Sequence, residues 1–133
     1  YPNGLAITPD GQHLVVSETF SELLHKFVWD EGGNVVGRDE FAYVGTGRAG
    51  EVGPDGMAFD DAGYLYVAIF GGGVVSVVEP GGDVVEKLSV GGLRPTNVAF
   101  GGPERRTLYV TETDKQNVIA IEAPRPGLSL YGG

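Results

Sequence analysis

The stretch Pro54-Asp55-Gly56-Met57-Ala58-Phe59, with Leu65-Tyr66-Val67-Ala68 following after a turn, decides the fold because the chain repeats it. Two further copies begin at Pro2 and at Pro95, and each also continues through a turn into a second apolar stretch. A repeat of about 40 to 50 residues that carries several short strands is typical of β-propeller blades. No stretch shows the 3.6-residue periodicity of a helix, so the sequence predicts an all-β fold.

Strand and turn patterns divide the chain into about three four-stranded blades, over residues 1–44, 54–90 and 95–133. The last strand of the third blade is expected at Leu128–Tyr131. A closed propeller typically has about 4 to 8 blades. We therefore expect either that this chain, which starts inside a repeat, belongs to something longer, or that two copies pair.

Three residues occupy equivalent places in the repeats, just ahead of each predicted inner strand: Asn3, Asp55 and Thr96. Inner strands line the central channel of a propeller, so these residues should converge at one of its mouths. Amide and carboxylate oxygens are suitable ligands for a hard divalent cation. The alternative is that Asn-Gly and Asp-Gly are only turn dipeptides, and the sequence leaves both interpretations open.

Composition excludes several classes of function. The chain has 133 residues and a net charge of −9, which argues against a nucleic-acid partner. It has no cysteine, which excludes disulfides and thiolate chemistry. No apolar run approaches the ~20 residues that a membrane-spanning helix needs. The compartment stays open, with the cytoplasm slightly favoured.

Other motifs are interpreted as structural. Residues 45–50 match G-x-G-x-x-G, but the Gly53-Pro54 that follows would break the helix that a dinucleotide site needs, so an inter-blade loop is predicted. His25 is expected to pack within a strand and His13 to be exposed. Residues 60–63 are expected to form a hairpin turn. Residues 17–19 could reach the channel mouth but are interpreted as a solvated rim.

The motifs together resemble the gluconolactonase family, which includes senescence marker protein (regucalcin) and luciferin-regenerating enzyme. The resemblance covers essentially the whole chain and corresponds to the C-terminal half of that family. It is carried by Pro2-Asn3-Gly4-Leu5-Ala6 with Thr8-Pro9-Asp10-Gly11, by Pro54-Asp55-Gly56-Met57-Ala58 with Gly63-Tyr64-Leu65-Tyr66-Val67-Ala68, and by Asn97-Val98-Ala99-Phe100-Gly101-Gly102 with Leu108-Tyr109-Val110-Thr111.

This resemblance implies half of a six-bladed propeller and a divalent-metal-dependent lactonase acting on a small lactone. It implies that Asn3 and Asp55 are metal ligands and that Asp55 is also the general base. The third family ligand, a glutamate, lies outside this chain, as do the arginine and asparagine that contact the lactone. Calcium is the first choice of metal, and zinc, magnesium or manganese are alternatives.

Phe70, Leu93 and Thr96 are predicted to line the substrate slot, since they come from loops at the same end as Asp55. Two other functions remain open. The chain could belong to a propeller that binds a metal or ligand without catalysis. It could also be a half-propeller that pairs with a second copy about a two-fold axis to close a six-bladed ring.

Overall fold

The computed structural model describes residues 1–130 and consists of eleven β-strands in three antiparallel sheets. The first sheet contains β1 (Pro2–Ile7), β2 (His13–Glu18), β3 (Leu23–Trp29) and β4 (Val35–Tyr43). The second contains β5 (Gly53–Phe59), β6 (Leu65–Phe70), β7 (Val74–Val78) and β8 (Val84–Ser89). The third contains β9 (Pro95–Gly101), β10 (Thr107–Glu112) and β11 (Asn117–Glu122), with a short 3-10 turn at Pro103–Arg105.

Each sheet is a meander in which consecutive strands are neighbours. Across the three sheets, β5 contacts both β1 and β9, and these three strands are called the inner strands below. The all-β prediction is confirmed, and the arrangement of the sheets is propeller-like.

The second sheet is buried on both faces by its two neighbours. One face of β6 carries Leu65, Val67 and Ile69 into a core shared with the first sheet. The other carries Tyr66 and Ala68 into a core shared with the third sheet. Because both faces are buried, β6 is apolar throughout instead of alternating between apolar and polar residues.

The predicted strand at Leu128–Tyr131 is wrong for residues 128–130, and Tyr131 lies outside the described residues. The chain instead returns to the second sheet, where Gly127 forms an isolated bridge with Asp60 and the Leu128 N–H donates to the Phe59 carbonyl at 3.1 Å. Prolines at 124 and 126 lack the N–H that a ladder needs, which disfavours a regular fourth strand here.

A buried ion pair fixes this returning segment. Arg125 Nε lies 2.6 Å from Asp60 Oδ2, and the Asp60 side chain is fully buried. The Arg125 guanidinium also lies 3.8 Å from the centroid of the Tyr64 ring. Asp60 Oδ1 accepts the N–H groups of Ala62 and Tyr64, which confirms the hairpin turn predicted at residues 60–63. The arginine that this turn also receives lies 65 residues away in the chain, so no local pattern predicts the contact.

Candidate active site

A β-bulge interrupts each inner strand at the same position. In β1 the chain advances from Pro2 to Leu5 while its partner β2 retreats only from Glu18 to Val16, so β1 contains one extra residue. The pairing of β5 with β6 shifts in the same way between Pro54 and Met57. The pairing of β9 with β10 shifts across Thr96. Bulges re-aim side chains and are common beside active sites. The end of the inner strands that carries them is called the mouth below.

The Asn-Gly and Asp-Gly pairs lie inside strands at these bulges, so the turn-dipeptide interpretation is wrong. Neither Gly4 nor Gly56 has a positive φ. What these positions require is space. A Cβ on Gly4 would lie 2.2 Å from the Asp55 carbonyl oxygen, and a Cβ on Gly56 would lie 2.0 Å from Asn97 Oδ1. The glycines therefore allow three neighbouring inner strands to approach one another closely at the mouth.

Two buried hydroxyl groups from the first sheet hold the mouth together. Ser17 Oγ donates to the Asp55 carbonyl at 3.0 Å, and Thr19 Oγ1 donates to the Pro54 carbonyl at 2.9 Å. Ser17 is fully buried and Thr19 is 3% exposed, so for these two residues the predicted solvated rim is wrong. They satisfy the carbonyl groups that the bulge in β5 removes from its own ladder.

The Asn3 amide is oriented by the same hydroxyl. Its Nδ2 donates to Thr19 Oγ1 at 3.4 Å. Among residues 1–130, Asn3 Oδ1 accepts no hydrogen bond and stays available as an oxygen ligand. The structure thus links Asn3 through Thr19 to Pro54, the residue next to Asp55.

The Asp55 carboxyl group is half-buried and has no cationic partner among residues 1–130. Burial raises the pKa of Asp55, and the backbone N–H of Gly56 offsets only part of this effect. A half-buried carboxylate without a countercharge is suited to receiving either a cation or a proton.

Thr96 lies at the bulge of β9, as Asn3 and Asp55 lie at the bulges of β1 and β5. Thr96 Oγ1 bonds to Thr111 Oγ1 within its own sheet at 2.8 Å. It is the next residue, Asn97, whose side chain packs against Gly56 beside Asp55. Comparison of only the residue after each proline overlooks Asn97, although Asn97 stands where the other two repeats have glycine.

The two other predicted lining residues lie at the mouth end. Phe70 is half-buried and pairs with Gly53 in the ladder between β5 and β6. The Arg94 guanidinium lies 5.9 Å from the centroid of the Phe70 ring. Leu93 is 42% exposed, in the loop that enters β9. Their roles toward a substrate remain predictions.

The loop that carries Leu93 is held by a buried carboxylate at the end of β10. Glu112 is 2% exposed. Its oxygens accept the backbone N–H groups of Arg94 at 2.8 Å, Asp114 at 3.0 Å and Lys115 at 2.7 Å. Burial acts to raise the pKa of Glu112, but these three hydrogen bonds act to lower it and prevail. The Glu112 carboxylate thus fixes the loop before β9 to the turn after β10.

Replacing Glu112 by glutamine is expected to lower the melting temperature at neutral pH. A carboxyl whose pKa is lowered on folding adds stability above its usual pKa of 4.5, and this stability is lost as the pH falls through the lower value in the folded state. The difference in melting temperature between wild type and Glu112→Gln should therefore shrink below about pH 4.5. Melting curves from pH 3 to 8 measure it, and a difference that stays constant across that range would contradict the charged clamp.

The remaining motifs are structural. Residues 45–50 form the predicted loop, and the Glu51 carboxylate organises it by accepting the Thr46 N–H and hydroxyl. His25 is 7% exposed in β3, as predicted. His13 is only partly exposed, with a buried Nδ1, so its predicted exposure is only partly correct.

Two kinds of feature are absent from residues 1–130: a cluster of metal-binding side chains and a membrane-spanning helix. Within residues 1–130, no three His, Cys, Asp or Glu side chains converge where they could hold a metal ion. No helix in that part of the chain has the length and apolarity to cross a membrane. Within these residues Asp55 therefore does not share a cluster with two other His, Cys, Asp or Glu side chains at the mouth.

A cavity of about 660 Å³ runs along the inner strands below the mouth. Its walls are mainly apolar, and Asn97 is the polar side chain that lines it next to Gly56. Residues 128–130 line it as well, so the returning C-terminal segment forms part of its wall.

Three meander sheets whose inner strands carry equivalent bulges, with Asn3 and Asp55 at two of them, define a propeller-like all-β scaffold. Residues 1–114 match the family described as the SMP-30/Gluconolactonase/LRE-like region. The chain belongs to this family, as its motifs predicted.

Curated relatives include the 6-deoxy-6-sulfogluconolactonase of Pseudomonas putida, 39% identical over 120 residues, which cover 90% of this chain and 40% of that protein. The pentonolactonase XacC of Haloferax volcanii is 33% identical over 110 residues, covering 83% and 37% respectively. Among solved structures, the calcium-binding protein regucalcin of Agrobacterium tumefaciens superposes with a TM-score of 0.75 at 26% identity, covering 97% of this chain and 50% of that one. The chain thus spans about two fifths of the length of these curated relatives.

Proposed function

We propose that this chain is the metal-binding half of a divalent-metal-dependent hydrolase that opens the ring of a sugar lactone. One observation supports this most: equivalent bulges present Asn3 and Asp55 on adjacent inner strands, in a family whose relatives include named lactonases. The proposed substrate class is a five- or six-carbon sugar lactone, by analogy with the names of those relatives.

Asn3 and Asp55 would hold the cation. The Asn3 NH₂ group donates to the Thr19 hydroxyl, which leaves the amide oxygen for a metal. The Asp55 carboxylate lacks a countercharge within residues 1–130. Both are oxygen ligands, which favours calcium, with magnesium and manganese next and zinc last. A bound divalent cation supplies Lewis acidity toward the lactone carbonyl and orients the reactants.

The Asp55 carboxylate is also the proposed general base. It takes a proton from the attacking water as the water oxygen bonds to the carbonyl carbon. The bond from that carbon to the ring oxygen then breaks, and the ring oxygen takes up the proton. The product is an open-chain hydroxy acid.

The three sheets are proposed to be three blades of a six-bladed propeller, divided as residues 1–44, 54–90 and 95–133. Calcium takes about 6–8 oxygen ligands, more than Asn3 and Asp55 can supply. The other blades, or a second copy of the chain, would supply the rest, including the family's glutamate ligand. A paired half-propeller predicts a dimer in solution, so a monodisperse monomer of 14.0 kDa would exclude it. A propeller that only binds metal is the other alternative.

Hydrolysis of glucono-1,5-lactone by the full-length protein tests the proposal. We expect hydrolysis well above the spontaneous rate, loss of at least about tenfold on chelation with EDTA, and recovery on addition of CaCl₂. A pH-stat follows acid release, and heat-inactivated protein is the control. Binding of calcium by calorimetry without any lactone or ester hydrolysis would favour the non-catalytic alternative. Activity that is indifferent to chelation would contradict the metal site.

A further inference from the structure

Asn97 presents a free amide group beside the proposed general base. The exposed Asn97 side chain lies at the seam between β9 and β5, and no hydrogen bond engages it within residues 1–130. Its Oδ1 lies where a Cβ of Gly56 would be, at 2.0 Å from that position. The oxygen therefore faces the β5 backbone, and Nδ2 is the atom left to donate a hydrogen bond.

The register of β9 places Asn97 at this position. The bulge at Thr96 shifts the register, so that Asn97 pairs with Thr111 and Pro95 with Glu112. At the same place in the repeat the other inner strands have Gly4 and Gly56. Only β9 brings a side chain to the seam, and Gly56 provides the space that this side chain fills.

The cavity below the mouth provides the space in which a substrate would contact the Asn97 amide. Its described lining is apolar apart from Thr8, Asn97 and Ser129. Of these three, Asn97 is the one that packs against Gly56, next to Asp55. A lactone with its carbonyl at Asp55 would have its ring substituents beside this amide and against the apolar wall.

We infer that Asn97 is a specificity residue whose amide hydrogen-bonds a hydroxyl group of the lactone ring. The inference rests on the proposed lactonase function and adds one substrate contact to it. A bound lactone that covers this exposed amide without offering it a hydroxyl group would remove it from water and leave it unpaired, which disfavours such a substrate. The mouth should therefore prefer hydroxylated lactones to unsubstituted rings of the same size.

The test compares two six-membered lactones, glucono-1,5-lactone and δ-valerolactone, which has no ring hydroxyls. In the full-length protein, Asn97→Ala is expected to lower kcat/KM for gluconolactone by about 10- to 100-fold and to change that for δ-valerolactone by less than about threefold. Asn117→Ala, an exposed asparagine in the same sheet, is the matched control and should leave both values unchanged.

The outcomes separate this inference from the proposed function. Equal losses on both lactones would show that Asn97 has a structural role, and no loss on either would show that it has none. Either result overturns this inference and leaves the proposed lactonase function in place. Wild-type protein that hydrolyses neither lactone overturns the proposed function and this inference together. A selective loss on gluconolactone, with an unchanged melting temperature, supports it.

Discussion

Replacing Asp55 by asparagine is expected to lower kcat for lactone hydrolysis by about a thousandfold or more. The substitution keeps the size of the side chain but removes the proposed base, and general-base catalysis alone contributes about 10²–10⁴-fold. Asparagine is also a weaker ligand than a carboxylate for a hard divalent cation. Because Asp55 is both the proposed general base and a proposed metal ligand, this substitution should have the largest effect of any single substitution on activity.

Although Asp55→Asn is expected to lower activity, it should not lower the melting temperature of the metal-free protein. A raised pKa means that the folded state disfavours the charged form of Asp55, so a neutral amide removes an unfavourable term. Asp55→Asn is therefore expected to melt at the same temperature as the metal-free wild type or above it. Calcium should raise the melting temperature of the wild type more than that of the variant.

Asp61→Asn is the matched control, since Asp61 is an exposed aspartate in the turn at the opposite end of the second sheet. It should leave both activity and the calcium response unchanged. Initial rates with glucono-1,5-lactone and thermal melts with and without CaCl₂ give the two readouts. Activity of Asp55→Asn within about tenfold of wild type would rule out the proposed role of Asp55 as base.

Most of the strands follow from local sequence, because short apolar stretches between Gly, Pro and Asp turns specify a meander directly. The strands Leu65–Phe70 and Val74–Val78 are such stretches. The failure at residues 128–130 has a non-local cause. That segment bonds to Phe59 in the neighbouring sheet, and the anchor at Arg125 and Asp60 is a pairing that no local pattern reveals.

The candidate site was only partly predictable for the same reason. Repeat symmetry locates Asn3 and Asp55 because each bulge recurs at a fixed place in its own repeat. It gives no information on contacts between repeats. Ser17 and Thr19 act on the backbone of β5 from the first sheet, and Asn97 acts across the seam between β9 and β5.

Substituting alanine for Gly4 is expected to lower the free energy of unfolding by about 3 kcal/mol, at the upper end of the range for overpacking. The new Cβ would lie 2.2 Å from the Asp55 carbonyl oxygen and 2.8 Å from the Gly56 Cα. Both are backbone atoms, so no side-chain rotation relieves the clash. The strands β1 and β5 must separate, which would weaken the hydrogen bonds from Ser17 and Thr19 to β5.

The matched control is Gly37→Ala, at another strand glycine without a positive φ, where the nearest atoms to a new Cβ are those of Val28 at 3.8 Å. It should be neutral or slightly stabilising, by up to about 1 kcal/mol, since alanine reduces the entropy of the unfolded chain. Urea unfolding of the two variants and the wild type measures the contrast. Equal stabilities for Gly4→Ala and Gly37→Ala would mean that the inner strands can separate at no cost. In that case the close approach of β1 to β5 at the mouth would not depend on glycine at position 4.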